Sequence, residues 1–296
     1  MTRRLRFLQL DVFANRLFDG NPLAVVLDAV GLDTDTMQRI ARWTNLSETT
    51  FLLPPTQPAA DYRVRIFTTH QELPFAGHPS VGSAYAAIDH GLVESGKASL
   101  VQECAAGLLP VQVVGTGPAR IIHVQAPPAR IAPGAADLTD KLAAALHAPL
   151  DPATIRLVDN GPRWIVCDMR EASVVRGLHP DFIALASACE QASALGVCVF
   201  GHERDGAAAM AVRAFCPSEN IPEDPVTGSA NAAIAAYLQA TGGLSAYGQR
   251  YRASQGREVG RDGCVEVSVD PIGSAITIGG ACAIGVRGEL LLQDIR

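Results

Sequence analysis

Three ionisable side chains, Glu48, His78 and Asp224, sit where the surrounding sequence could put them to work. Glu48 lies in Asn45-Leu-Ser-Glu-Thr-Thr-Phe51, between a segment of helical periodicity and an apolar run. A carboxylate there is either solvated, the commoner fate of Glu, or partly buried with a raised pKa suited to moving protons. His78 and Asp224 each stand directly before a proline, and those prolines open two copies of one pattern. Pro79-Ser-Val-Gly-Ser-Ala-Tyr-Ala-Ala-Ile88 and Pro225-Val-Thr-Gly-Ser-Ala-Asn-Ala-Ala-Ile234 are identical at seven of ten positions, 146 residues apart. The Ala and Ile matches carry little weight in helical sequence, and the Pro-x-x-Gly-Ser core in register with them carries more.

Each copy predicts a turn feeding a helix, with Pro at an early helical position and Gly-Ser within the first turn or so. Helix N-termini expose unpaired N–H groups and partial positive charge. Small residues let a ligand approach that backbone, which suits a small anion such as a carboxylate. In this register His78 stands opposite Asp224. As mere helix caps, Asp224 is a good choice and His78 a poor one. The alternative is two different ionisable groups at equivalent places in two similar halves. A fainter echo sets Gly20-Asn21-Pro22-Leu-Ala-Val-Val against Asn160-Gly161-Pro162-Arg-Trp-Ile-Val, again turn then strand.

Other chemistry finds little support. His70, Glu72 and His78 can be drawn as metal ligands, but their spacing fits no H-E-x-x-H or similar pattern, so no metal is expected. No P-loop, G-x-G-x-x-G after a strand, or G-x-S-x-G elbow occurs. Cys216 precedes the second copy, yet neither matched helix start carries a Cys, which disfavours a two-cysteine racemase. The seven cysteines are irregularly spaced without C-x-x-C and read as small core residues of a cytoplasmic protein. A net charge of −6 argues against nucleic acid as a partner. No apolar run is long enough for a secretory h-region or a membrane span.

The elements that must position these residues are short and mixed. Of 296 residues, 48% are hydrophobic and 18% charged, enough to bury two cores of about 150 residues each. Strands are predicted at Leu5–Ala14, Leu23–Leu27, Thr49–Leu53, Tyr62–Thr68, Ala98–Glu103, Leu109–Val114, Arg120–Gln125, Trp164–Asp168, Val197–Phe200 and Ala209–Phe215, with further short strands at the C-terminus. Asp33–Trp43 reads as a helix capped by Asp33 or Thr34, followed by an Ala-rich helix ending near Gly91. Ala136–Ala148 and Pro180–Ala194 read as helices, and a second turn and helix occupy Asn220–Ala240. Pro127-Pro128 and Pro133-Gly134 mark a loop and a boundary. Many short strands with few helices predict an α+β protein rather than a βαβ repeat.

Six segments, in order along the chain, resemble the PhzF-like family, named for an isomerase of phenazine biosynthesis. They are Asp11-Val12-Phe13, Gly20-Asn21-Pro22-Leu-Ala-Val-Val, Asn45-Leu-Ser-Glu-Thr-Thr-Phe51, Arg65-Ile-Phe-Thr68, Glu72-Leu-Pro-Phe-Ala-Gly-His-Pro79 and Glu223-Asp-Pro-Val-Thr-Gly-Ser229. The resemblance implies a diaminopimelate epimerase-like fold of two pseudo-symmetric halves, each a curved, mostly antiparallel sheet around a central helix. The halves are expected at 1–118, completed by 284–296, and at 119–283, with the active site in the cleft between them.

It also implies a cofactor-free isomerase, a homodimer, acting on a small carboxylate-bearing substrate such as trans-2,3-dihydro-3-hydroxyanthranilate. By the family's motifs Glu48 shuttles the proton, His78 and Asp224 join it in catalysis, and Ser47, Gly77, Gly228 and Ser229 line the substrate site. Thr69-His70-Gln71 and Cys216 fall where members differ. The alternatives are a two-base amino-acid racemase or epimerase, and a non-catalytic small-molecule-binding homologue.

Overall fold

The computed structural model describes residues 2–133, 136–204, 206–219, 221–272 and 275–293. Gly134, Asn220 and the final three residues of the expected 284–296 segment lie outside them, as do the side chains of 136, 137 and 219. The chain forms two compact units, Met1–Gln125 with Gly279–Arg296, and Ala126–Ile278. Among the described residues no helix is long and apolar enough to cross a membrane.

In the first unit β1 (Thr2–Val12), β2 (Asn21–Val26), α1 (Thr34–Thr44), β3 (Thr49–Leu53), β4 (Tyr62–Phe67), β5 (Glu72–Leu73), α2 (Gly77–Asp89), β6 (Ser99–Cys104), β7 (Gly107–Val114) and β8 (Ile121–Gln125) follow in order. α1 starts where its cap predicts, since the Asp33 carboxylate accepts from Thr36 N–H at 2.8 Å. It ends at Asn45, whose left-handed conformation (φ 54°) turns the chain toward Glu48. Helix α2 is different. Every residue from Gly77 to Ala87 is buried, so it has no polar stripe. A helix apolar all round belongs in the middle of a core, and strands β1, β2, β3, β4 and β8 pack around it.

The second unit contains β9 (Arg130–Pro133), α3 (Ala136–Leu146), β10 (Ile155–Asp159), β11 (Arg163–Glu171), α4 (Ala172–Arg176), α5 (Phe182–Ala192), β12 (Gly196–His202), β13 (Met210–Cys216), β14 (Ile221–Asp224), α6 (Gly228–Thr241), α7 (Leu244–Tyr247), β15 (Arg250–Gln255), β16 (Gly263–Val269) and the first three residues of β17 (Ile276–Gly280). Here α6 is the nearly all-buried helix, with β9 to β12 and β16 against it. The chain then returns to the first unit as β18 (Cys282–Gln293), which runs antiparallel along the whole of β1.

The two units share one pairing scheme. β1–β2, β3–β4, β4–β5 and β6–β7 are antiparallel and β2–β3 and β4–β6 parallel. In the same order β10–β11, β12–β13, β13–β14 and β15–β16 are antiparallel and β11–β12 and β13–β15 parallel. The expected duplication is therefore present at the level of topology, with α2 and α6 as the matched central helices. The fainter Asn-Pro echo also falls on matched strands, β2 and β11.

The register of the repeat needs correction. Leu73 opposes Ile66 in one unit and Asp224 opposes Ala214 in the other. The flanking Arg65-Ile-Phe67 and Arg213-Ala-Phe215 correspond, because each Arg lies over its own Phe ring, at 5.1 and 5.0 Å. Each Arg also holds the Glu of the next strand in a two-pronged ion pair, Arg65–Glu72 and Arg213–Glu223. The true equivalence is thus Glu72-Leu-Pro-Phe-Ala-Gly-His78 with Glu223-Asp-Pro-Val-Thr-Gly-Ser229. Both central helices start at the shared glycine, Gly77 and Gly228.

The Pro-x-x-Gly-Ser register was five residues out, so His78 corresponds to Ser229, and Asp224 to Leu73. Pro225 lies before its helix, not within it. Gly82-Ser83 lie in the second turn and face the core: a Cβ on Gly82 would come within 2.5 Å of Leu23 Cδ2, and Ser83 Oγ donates to Thr50 Oγ1 at 2.9 Å.

Candidate active site

Glu48 occupies the short span between the left-handed end of α1 and the first residue of β3. Its side chain is only 16% exposed, which decides for the partly buried alternative. His78, second residue of α2, is buried, and its Nε2 lies 3.4 Å from Glu48 Oε2. Burial holds the imidazole neutral by pushing its pKa down to about 3. The contact is therefore carboxylate beside neutral imidazole rather than an ion pair. At neutral pH His78 is not an imidazolium acid. It can hold and orient the Glu48 carboxyl in either protonation state.

No side chain caps the start of α2, whose N-cap is Ala76, and no acidic residue lies in its first turn. The N–H groups at Gly77 and His78 thus carry the partial positive end of the helix. His78 is not a cap, which removes the bland reading of that residue.

In the second unit Asp224 ends β14 and is buried. It is not the cap of α6 either; Thr227 is, without a side-chain capping bond. Thr227 Oγ1 donates to Asp224 Oδ2. Gln255, fully buried at the end of β15, ties this corner together. Its Nε2 donates to Asp224 O at 3.0 Å and to Thr227 Oγ1 at 2.9 Å. Its Oε1 accepts from Thr227 N–H and from Asn231 Nδ2, both at 3.0 Å. Asn160 Nδ2 donates to Ser229 O at 2.9 Å. Gly228 is buried and Ser229 half-buried at the first two helical positions. Sequence reasoning missed Gln255 and Asn160; a lone buried amide leaves no pattern to find.

Each unit thus gathers its own set: Glu48, Gly77 and His78 at one helix start, Asp224, Gly228 and Ser229 at the other; Ser47 directly precedes Glu48 in the chain. The sets are not equivalent. Through the strand registers Thr50 matches Cys198, so Glu48 matches Gly196. A Cβ there would lie 2.2 Å from Phe215 O and 2.9 Å from the Trp164 ring. A side chain at that position has no room, so Glu48 has no counterpart in the second unit.

The remaining candidates fall away from this chemistry. Both Glu72 oxygens are held by Arg65, and His70 is exposed in the turn before β5. Cys216 is buried at the end of β13. Six of the seven cysteines are buried and Cys264 is partly exposed.

The chain matches the family described as phenazine biosynthesis-like protein over residues 10–288. It is 36% identical over 291 residues to antisense-enhancing sequence 1 of Schizosaccharomyces pombe, covering 96% of this chain and 97% of that one. It is 33% identical over 297 residues to the trans-2,3-dihydro-3-hydroxyanthranilate isomerase of Pseudomonas aeruginosa, covering 97% and 99%. The crystal structure of the Bacillus anthracis phenazine biosynthesis protein of the PhzF family superposes with a TM-score of 0.83 at 28% identity, covering 98% of this chain and all of that one. The α+β fold of two matched units is therefore that of the PhzF-like isomerases. This chain belongs to the phenazine biosynthesis-like family and is an isomerase.

Proposed function

We propose that the chain isomerises a small carboxylate-bearing substrate by moving a proton along a conjugated system. Glu48 takes the proton from a carbon made acidic by conjugation and returns it elsewhere on the π-system. His78, neutral, orients the Glu48 carboxyl. The open N–H groups at Gly77 hold an anionic group of the substrate. Ser47 lines this site; at the other helix start Asp224, held by Thr227 and Gln255, is the acid, with Gly228 and Ser229 beside it. The observation that carries this is the Glu48–His78 contact at an uncapped helix start. The absence of room at Gly196 leaves Glu48 without a mirrored counterpart, and a racemase would have to pair Glu48 with Asp224 or His78; scrambling of one stereocentre without double-bond migration would favour that reading. Bare binding without turnover would not need a buried carboxylate beside an imidazole.

A positioned base contributes about 10²–10⁴-fold, so orientation and electrostatics must supply most of the acceleration. The substrate named for the Pseudomonas relative, trans-2,3-dihydro-3-hydroxyanthranilate, is the first to try. In D₂O the product should carry deuterium on carbon. Turnover of Glu48→Gln should fall by at least about 10²-fold with its fold unchanged. Wild-type-like turnover by that variant would remove Glu48 from the mechanism. A homodimer in the cytoplasm completes the reading, and sedimentation equilibrium checks the dimer.

A further inference from the structure

We propose that the open edge of β18 is the surface through which two copies of this chain pair, strand against strand, about a twofold axis at Gly288. This rests on the homodimer proposed above and not on the isomerase chemistry.

Among the described residues β1 is the strand that runs along β18. Gly285 to Glu289 are five consecutive exposed residues, followed by exposed Leu291 and Gln293. Successive residues of a strand face opposite sides, so an unbroken exposed run leaves both faces and the edge uncovered. Edges of this kind template pairing with another chain, and natural proteins blunt them with Lys, Pro or very short strands. β18 is twelve residues long and has neither Lys nor Pro.

The flanks carry exposed apolar side chains. Leu291 is 61% exposed, Val286 47%, and Trp43 on α1 74%. A groove of about 640 Å³ lies between α1 and the strand, lined by Ile40, Trp43 and Leu290 to Leu292 and by the charged Arg39, Arg42 and Glu289. Exposed Trp beside an unpaired strand is interface composition rather than ordinary surface.

The choice of a second copy comes from the charges. Under a twofold perpendicular to a continuous sheet, a residue must oppose one on its own face, so paired residue numbers differ by an even number. Centring on Arg287 sets Arg against Arg, and centring on Glu289 sets Glu against Glu. Centring on Gly288 sets Arg287 against Glu289 twice and Val286 against Leu290 twice. Like charges directly opposite destabilise a pair and opposite charges or apolar pairs stabilise it. Both charged side chains remain about half exposed, at 54% and 44%, beside their own partners Asp89 and Arg4. At the axis a Cβ on Gly288 would meet nothing within 4 Å, so the two backbones can approach.

Cysteine cross-linking tests the register, with sedimentation equilibrium alongside. Directly opposed residues of an antiparallel pair have Cα atoms about 4.5–5.5 Å apart, within disulfide reach. Gly288→Cys should give a cross-linked dimer on mild oxidation. Gln293→Cys, whose opposed residue is Ala283, and the unmodified chain should not. Arg287→Glu should raise the dimer Kd about tenfold, and adding Glu289→Arg should restore it. A chain that is monomeric at every concentration overturns both the dimer and this surface. A dimer indifferent to Arg287→Glu and not linked by Gly288→Cys overturns the surface alone; so does an edge that captures only a foreign strand. Turnover reads the isomerase proposal separately.

Discussion

Glu48 and His78 illustrate how much a residue's chemistry depends on what lies beside it. An imidazole in water takes a proton near pH 6.5, whereas burial delays His78 to about 3. Between those values the unfolded chain binds a proton at this site that the folded chain does not. Stability from this site is therefore complete above about pH 6.5 and falls as the pH drops toward 3, by up to about 1.4 kcal/mol per pH unit. His78→Asn removes this dependence. Denaturant unfolding of both proteins between pH 7 and 4 should show the wild type losing stability relative to the variant as pH falls. Parallel curves would mean that His78 takes its proton at the same pH in the folded and unfolded chain.

At the scale of elements, the candidate residues of each unit depend on how its own central helix begins. Gln255 satisfies a backbone N–H, a carbonyl, a hydroxyl and an amide at once. Gln255→Leu orphans buried polar groups, and each costs about 1–3 kcal/mol. A fall in thermal midpoint together with loss of turnover is expected, and an unchanged midpoint would contradict the network. The segment before α6 is equally tight, since a Cβ on Gly263 would lie 2.2 Å from Val226 Cγ2. Gly263→Ala should destabilise the second unit, and Val226→Ala should partly rescue it. The cap of α1 is an ordinary local device, so Asp33→Ala should lower stability by about 1 kcal/mol in chemical denaturation.

At the scale of the whole chain, the first unit is discontinuous: its β1 is completed by the last strand. Leu5, Leu8 and Leu10 of β1 are fully buried or nearly so. A chain ending at Ala281 would strip the β18 ladder from β1 and leave only its pairing with β2 over Phe7–Val12, so loss of cooperative unfolding by circular dichroism and aggregation are expected. Retained cooperative folding would show that β18 is dispensable. That pairing joins residues at opposite ends of the chain, and contacts of such separation leave no local trace.

The sequence by itself determined the elements whose causes are local. Capping by Asp33, the alternation in Tyr62–Phe67 and the apolar run Thr49–Leu53 each place an element within a residue or two. The motifs also marked Glu48, His78 and Asp224 and the family to which they belong. The tertiary structure alone decided the register of the duplication. Alanine identities report that two helices are buried all round, which is a property of packing and fits several registers. Cross-strand partners such as Ile66–Leu73 and Ala214–Asp224 admit only one. It also decided that His78 is neutral beside Glu48, because desolvation depends on every neighbour that excludes water, and those neighbours come from strands far apart in the chain.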